Sequence, residues 1–319
     1  MSAGKGHVVI TGRGMITPFG ATARASTDAW HRGEIAARRT LPQFADTSLA
    51  EAEVAILPEF NASERLANRR MMKFMSHASI IGCIAAKEAS AEAGISERFM
   101  ADRIGLYAGA GLAAANIDEV TEMIQASIDE RGRFSCKLLG GPGLRAASPL
   151  LSFKILPNMP ACLVSILECV KGPSLLFTPW EGHTGAALLE AWQAVADGEV
   201  DCALTGASDN PTHPATYIHL KQAQSLKNDE VPAPAAAYLV LEREETARRD
   251  GQHIYARIEL MELSATDAEV CDPLSEQMGR SFAAAPAVLV ALSCENPPST
   301  VVIRGVDRQE FRAELEAAE

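Results

Sequence analysis

Apolar residues fall into two rhythms along this chain. Short unbroken runs read as strands buried on both faces: Val8-Val9-Ile10, Ile104-Gly105-Leu106-Tyr107-Ala108, residues 173–177 and Cys202-Ala203-Leu204. Between them, residues 22–34, 69–94, 116–130, 158–168 and 184–197 place apolar side chains at helical spacing. In the 69–94 stretch these are Met72, Met75, Ile80, Ile81, Ile84, Ala85 and Ala89, with Gly94 set to cap the end. Further on, strands are expected at 235–241 and 254–262 around a polar helix at 242–250. A helix at 274–293 and a strand at 300–304 follow. Residues 35–60, broken by Pro42 and Pro58, and the Gly-rich 131–148 read as irregular. The first strand is expected to run into a turn at Gly12-Arg13-Gly14. With no third glycine and no helix directly after it, that turn carries little dinucleotide-binding signal. Strands alternating with helices predict an α/β layered fold around a mostly buried sheet.

Composition narrows the class. The 319 residues are 47% apolar and 22% charged, a globular balance with enough length for one large core or two fused ones. A formal charge of −12 argues against nonspecific nucleic-acid binding and against anionic membranes, though not against docking through a local basic patch. No apolar run is long enough to span a bilayer. Met1-Ser2-Ala3-Gly4-Lys5 leads into the first strand without a signal-type apolar stretch, so a cytoplasmic location is expected. The seven cysteines (83, 136, 162, 169, 202, 271 and 294) form no CxxC pair and read as reduced thiols, Cys202 as a buried, inert one. His213 and His219, six apart, do not share a helix face. Zinc-ligand spacing is absent, and neither a metal nor a cofactor is expected.

The chemistry concentrates in Leu175-Leu176-Phe177-Thr178-Pro179-Trp180-Glu181-Gly182-His183-Thr184-Gly185. A strand, a tight turn and a helix start in that order form an elbow that presents one side chain at the helix N-terminus. Unpaired N–H groups and the helix dipole would activate a cysteine there. The residue is Glu181, a poor nucleophile when ionised and solvated. Three readings stay open for it: a relic held by local N–H groups, a structural carboxylate paired with a cation such as Arg280, or a working carboxylate. Helix-terminal placement is expected to lower its pKa.

These segments, taken in order, resemble the β-ketoacyl-ACP synthase family. Val8 to Gly20 looks like its N-terminal strand and turn, and Arg103 to Gly111 like its second strand with a Gly-rich end. Asn158-Met159 with Lys171-Gly172-Pro173-Ser174 matches the segment before the active-site strand, and Asp197 to Ala207 the strand after it. The spacing sets Glu181 on the family's catalytic cysteine. The resemblance runs from residue 7 to about 262. Beyond it, Arg280 stands at a histidine position, the segment with the other histidine is missing, and Val301-Val302-Ile303-Arg304-Gly305-Val306 replaces a Gly-Phe-Gly-Gly loop. The resemblance implies a thiolase-like αβαβα fold with a shortened second half, divided at 1–250 and 251–319. It implies a chain-length-factor-like subunit, without a nucleophile, that pairs with a cysteine-bearing ketosynthase and meets acyl carrier protein through that complex. Ser174, Leu175, Leu176 and Phe177 would form the dimer strand; Trp180, Phe177 and His183 would line the acyl tunnel or pocket. The alternatives are an acyl-thioester hydrolase or decarboxylase using Glu181, and a scaffold that binds acyl-ACP.

Overall fold

The computed structural model describes residues 6–66, 68–112 and 117–318, so the N-terminal Met1 to Lys5 and residue 116 lie outside the described residues. The strands are β1 (Val8–Ile16), β2 (Arg38–Thr40), β3 (Glu53–Ala55), β4 (Ile104–Ala110), β5 (Ser174–Phe177), β6 (Cys202–Asp209), β7 (Ala235–Arg243), β8 (Ala256–Ala265), β9 (Ser299–Arg304) and β10 (Gln309–Glu316). The main helices are α1 (Ala23–His31), α2 (His77–Ala93), α3 (Ile117–Gln125), α4 (Met159–Leu167), α5 (Glu181–Asp197), α6 (Pro214–Gln222), α7 (Glu244–Arg249) and α8 (Ala285–Ser293). Eight strands form one mixed sheet in the order β5-β4-β6-β7-β1-β8-β10-β9; β2 and β3 pair separately. β4, β5 and β6 are parallel, so their C-terminal ends lie together. β8 pairs with β1 only at 256–258 and continues against β10, which joins the first-half strands to the last three.

The sheet lies between helices that bury apolar faces on it. α2 and α4 cover one face of the β4-β6-β7 region. α5 and α8 cover the other, and they also pack beneath β8, β9 and β10, where Phe311, Ala313, Leu315, Val301 and Ile303 point inward. The result is helix, sheet, helix, sheet. The outer face of the last three strands carries Glu310, Arg312, Glu314 and Glu316 on β10 opposite Ser264, Glu262, Leu260 and Arg257 on β8. A charged, partly exposed face needs no covering helix layer.

Several expectations change in detail. Gly12 and Gly14 do not make a turn; they stand inside β1, where α2 crosses it. A Cβ at Gly14 would lie 2.0 Å from the Ala85 carbonyl oxygen and one at Gly12 2.4 Å from that of Ala89. The glycines serve close helix–strand approach. The Arg13 and Met15 amides donate to Glu92 and Glu88 of that helix, at 2.7 and 3.1 Å, rather than to a strand. α2 begins at His77, eight residues later than the apolar spacing predicts, because Ser76 caps it by accepting from the Ser79 amide (3.2 Å). It ends at Gly94 with φ +60°, as expected. The 131–148 stretch contains short helical turns around Gly140 to Gly143. His219 lies on α6 and His213 caps it. The 274–293 helix starts only at Phe282, as a short 3-10 turn leading into α8, which leaves 271–281 irregular. β10 is a strand the sequence pattern did not announce.

Candidate functional site

β5 ends at Phe177, the chain turns through Thr178 to Trp180, and α5 begins at Glu181. The elbow is therefore real, with Glu181 as the first helical residue. It is 0% exposed. Gly182 is obligatory beside it, because a Cβ there would lie 2.4 Å from Gln309 Cβ and 2.6 Å from the Asp307 carboxylate. The turn between β9 and β10 thus sits directly on the helix start.

Arg280 meets Glu181. Its Nη2 donates to Glu181 Oε1 at 2.5 Å, its Nη1 donates to Glu230 Oε1 at 3.0 Å, and its Nε lies 3.3 Å from Asp272 Oδ2. The guanidinium also lies over the Phe282 ring, 4.8 Å from its centroid. Main-chain bonds fix its position: the Arg280 amide donates to Val231 O and the Ala233 amide to Arg280 O, both at 2.8 Å. Glu181 Oε2 accepts from the Val306 amide at 3.3 Å, and the carboxylate also receives its own residue's amide. The carboxylate thus takes up one amide of the elbow, its own, and one from the β9–β10 turn.

The electrostatics differ from the expectation for a helix terminus. Burial pushes the Glu181 carboxyl up; Arg280 pulls it back, and the net position stays above the ordinary carboxylate range. Removal from water outweighs the helix dipole because no solvent reaches the group. Burial opposes the charge on Arg280 too, but Glu181, Asp272 and Glu230 outweigh it and keep the guanidinium cationic. Asp272 is pushed to about 6, chiefly by burial. Asp209, at the end of β6, is pushed well above its usual value by burial, against amides of Ala283 and Asn210 that favour its charge. Gly111 makes room for it, since a Cβ there would lie 1.9 Å from Asp209 Oδ1.

The other predicted site residues lie around this core. Trp180 packs toward Phe282, ring centroids 6.1 Å apart, and Phe177 packs against the core beneath α5. His183 Nδ1 faces the Trp180 amide at 3.4 Å and Asp307 Oδ2 at 3.3 Å. A cavity of about 30 Å³ opens at the C-terminal ends of β4 and β6, lined by Gly111, Leu112, Leu156, Pro160, Ser208 and Asn210 among others. Trp180, Phe177 and His183 are not among its lining residues. β5 is the end strand of the sheet, paired on one side only; Ser174 and Leu175 are exposed there and Leu176 and Phe177 half-buried. Cys202 is fully buried, and burial raises its thiol well above the usual value.

Asp209, Glu230, Asp272 and Asp307 were not singled out in the sequence. Asp209 could have been found, because it closes a predicted strand at the sheet end where α/β proteins gather their ligands. The others come from loops that only the tertiary fold brings together. Among the described residues no group of three or more His, Cys, Asp or Glu is arranged to hold a metal ion. No helix among them is long and apolar enough to cross a membrane.

Comparison with known proteins accords with this arrangement. Residues 5–240 match the family described as β-ketoacyl synthase, N-terminal domain. The chain belongs to that family. It is 27% identical over 273 residues to 3-oxoacyl-(acyl-carrier-protein) synthase 2 of Staphylococcus aureus strain COL, covering 79% of this chain and 61% of that one. It is 24% identical over 300 residues to the synthase 2 of Vibrio cholerae, covering 88% and 68%. The chain thus spans about three fifths of the Staphylococcus relative's length. Among solved structures it is similar to a chain of AntDE:AntF, a type II PKS acyl-carrier protein in complex with its ketosynthase bound to the hexaketide (TM-score 0.78, 15% identity, 98% of this chain and 100% of that chain). It is also similar to the ishigamide ketosynthase/chain length factor (TM-score 0.77, 16% identity, 99% and 100%). Both show the thiolase-like fold.

Proposed function

We propose that this chain is a non-catalytic, chain-length-factor-like ketosynthase subunit that pairs with a cysteine-bearing ketosynthase in fatty acid, polyketide or aryl-polyene elongation. Acyl carrier protein meets the complex. The observation that carries the reading is Glu181: at the elbow position it is buried, ion-paired to Arg280, and accepts from its own amide and from that of Val306. Condensation needs a thiolate to carry the acyl chain and imidazoles to polarise the extender; the elbow supplies no thiol, and its one imidazole, His183, accepts from the Trp180 amide beside Asp307. A partner fits the surface. Among the described residues, nine of the twelve exposed large apolar ones fall between Ile124 and Leu175: Ile124, Ile128, Phe134, Leu144, Phe153, Ile155, Leu156, Ile166 and Leu175. That stretch leads into the uncovered β5 edge, and unpaired edges and apolar patches of this kind mark interfaces. Two similar structures, described as a ketosynthase with its carrier protein and as a ketosynthase/chain length factor, support the same kind of assembly.

Hydrolysis or decarboxylation by Glu181, or simple binding of acyl-ACP, would require a substrate to reach the elbow. Its burial weighs against both. Co-expression with a cysteine-bearing ketosynthase from the same genome neighbourhood, followed by native mass determination, tests the proposal. A one-to-one heterodimer is expected; a stable homodimer with no heterodimer would overturn it.

A further inference from the structure

The charge balance around Arg280 is uneven. One guanidinium faces Glu181 from the start of α5, Glu230 from the 227–233 loop and Asp272 from the 271–281 segment. Two more carboxyls stand close by without a cation of their own. Asp209 at the end of β6 is 3% exposed, and its Oδ1 has no hydrogen-bond partner among the described residues. Asp307 in the β9–β10 turn leaves both oxygens without one, and its nearest basic group is the His183 imidazole, whose Nδ1 already accepts from the Trp180 amide. Five carboxyls from five segments therefore share one full positive charge, with Glu181, Asp209 and Asp272 buried and Glu230 and Asp307 at the rim.

Such a cluster stays closed only while some of its carboxyls keep their protons. Two of the segments it joins lie outside regular helix and strand, and main-chain bonds of Cys271 with Arg304 and of Arg280 with Val231 and Ala233 tie the first of them to its neighbours. Residues 271–281 are irregular, and 305–308 form a turn tied to α5 through the Val306 amide on Glu181. We infer that this cluster is a proton-linked latch: with the buried Asp209 and Asp272 carboxyls protonated it holds 271–284 and 305–308 against the start of α5, and their ionisation loosens both segments from the elbow. The inference concerns this chain alone and does not depend on its pairing with a ketosynthase.

Asp272 is the most quantifiable member. Held near 6 in the closed state against an ordinary 3.8, it alone raises the opening equilibrium about tenfold between pH 5 and pH 8. Amide hydrogen exchange of the full-length protein, read by mass spectrometry over that range and corrected for intrinsic chemistry, tests this. Protection of 271–284 and 305–308 is expected to fall about tenfold or more, while β4 and β6 stay unchanged. Asp272→Asn is expected to remove about tenfold of that dependence. Glu230→Gln, on the half-buried rim of the cluster, is expected to fold whatever happens to Asp272→Asn. It removes a neighbouring negative charge and shifts the rise in exchange to lower pH in return. Corrected protection that does not change with pH, or a profile unmoved by Glu230→Gln, overturns the latch.

Discussion

Replacing Arg280 tests the site most directly. Arg280→Met keeps the bulk of the stem against Phe282 but leaves Glu181, Glu230 and Asp272 facing one another with no cation. The Arg280 side chain is 1% exposed, as are those of Glu181 and Asp272. Removing one partner of a buried ion pair costs about 3–5 kcal/mol, because the remaining charge cannot regain water. Here three carboxylates are stranded, so the upper part of that range applies at pH 7.5. Glu181→Gln does the reverse: it removes one surplus negative charge, keeps two acids on Arg280, and retains an acceptor for the Val306 amide. Its cost should stay within about 1 kcal/mol. The double variant should be more stable than Arg280→Met alone. The assay is urea unfolding of the assembled protein at one fixed concentration, followed by tryptophan fluorescence, at pH 7.5 and 5.5. At pH 5.5 the Arg280→Met penalty should shrink as the stranded acids protonate. If the two single variants cost equal amounts, or if Arg280→Met costs less than about 1 kcal/mol, Arg280 is not the charge that holds the site together.

Other outcomes follow from the same structure. Because the folded state holds the Asp272 proton up to about 6 against 3.8 for the free group, the fold gains stability as pH falls. The penalty is full above about pH 6 and relieved toward 3.8, so Asp272 should contribute about 1.4 kcal/mol of added stability between pH 7.5 and 5, and Asp272→Asn should flatten that slope in urea titrations. Gly14→Ala should destabilise by about 1–3 kcal/mol or yield insoluble protein, since its methyl would meet the Ala85 carbonyl; an unchanged thermal midpoint would contradict the close helix–strand contact. Leu175→Lys on the β5 edge should shift the protein toward monomer in size exclusion with little change in circular dichroism, and an unaltered assembly would place the interface elsewhere. Maleimide mapped by peptide mass should label Cys136, Cys169 and Cys271 but not Cys83, Cys202 or Cys294, and Cys169, five residues before β5, should lose its label when the partner is bound.

What could be read beforehand followed the range of each interaction. Strands β4, β5 and β6, the helices after them and the elbow were legible because apolar runs, capping residues and turn chemistry act over a few residues. The pairing of Glu181 with Arg280, 99 positions apart, was one of three open readings, suggested only because each residue occupies a catalytic position of the resembled family. Three failures share a cause. Gly12 and Gly14 looked like a turn because glycine permits both a turn and close packing, and only α2 lying across the strand decides between them. The 274–281 stretch looked helical because its composition allows a helix, yet Arg280 bonds instead to Val231 and Ala233. The direction of the Glu181 shift was misread because a helix dipole can be inferred from position, whereas complete burial cannot. β10 alternates Phe311, Ala313 and Leu315 with charged residues, a pattern that a longer look at period two could have found.

The uneven distribution of exposed apolar surface bears on where the proposed partner would sit. At the β9 end of the sheet, the outer face is charged and paired across strands, and Cys271 bonds to Arg304 by the main chain. That end loses little by facing water. At the β5 end, a one-sided strand exposes Leu175, and the 124–166 stretch before it exposes eight further large apolar side chains. Burying each such side chain gains roughly 1.5–3 kcal/mol relative to leaving it in water. The exposed apolar side chains among the described residues thus gather on the segment that leads into the open β5 edge, and an interface proposed for this chain belongs there rather than on the charged face of β8 and β10.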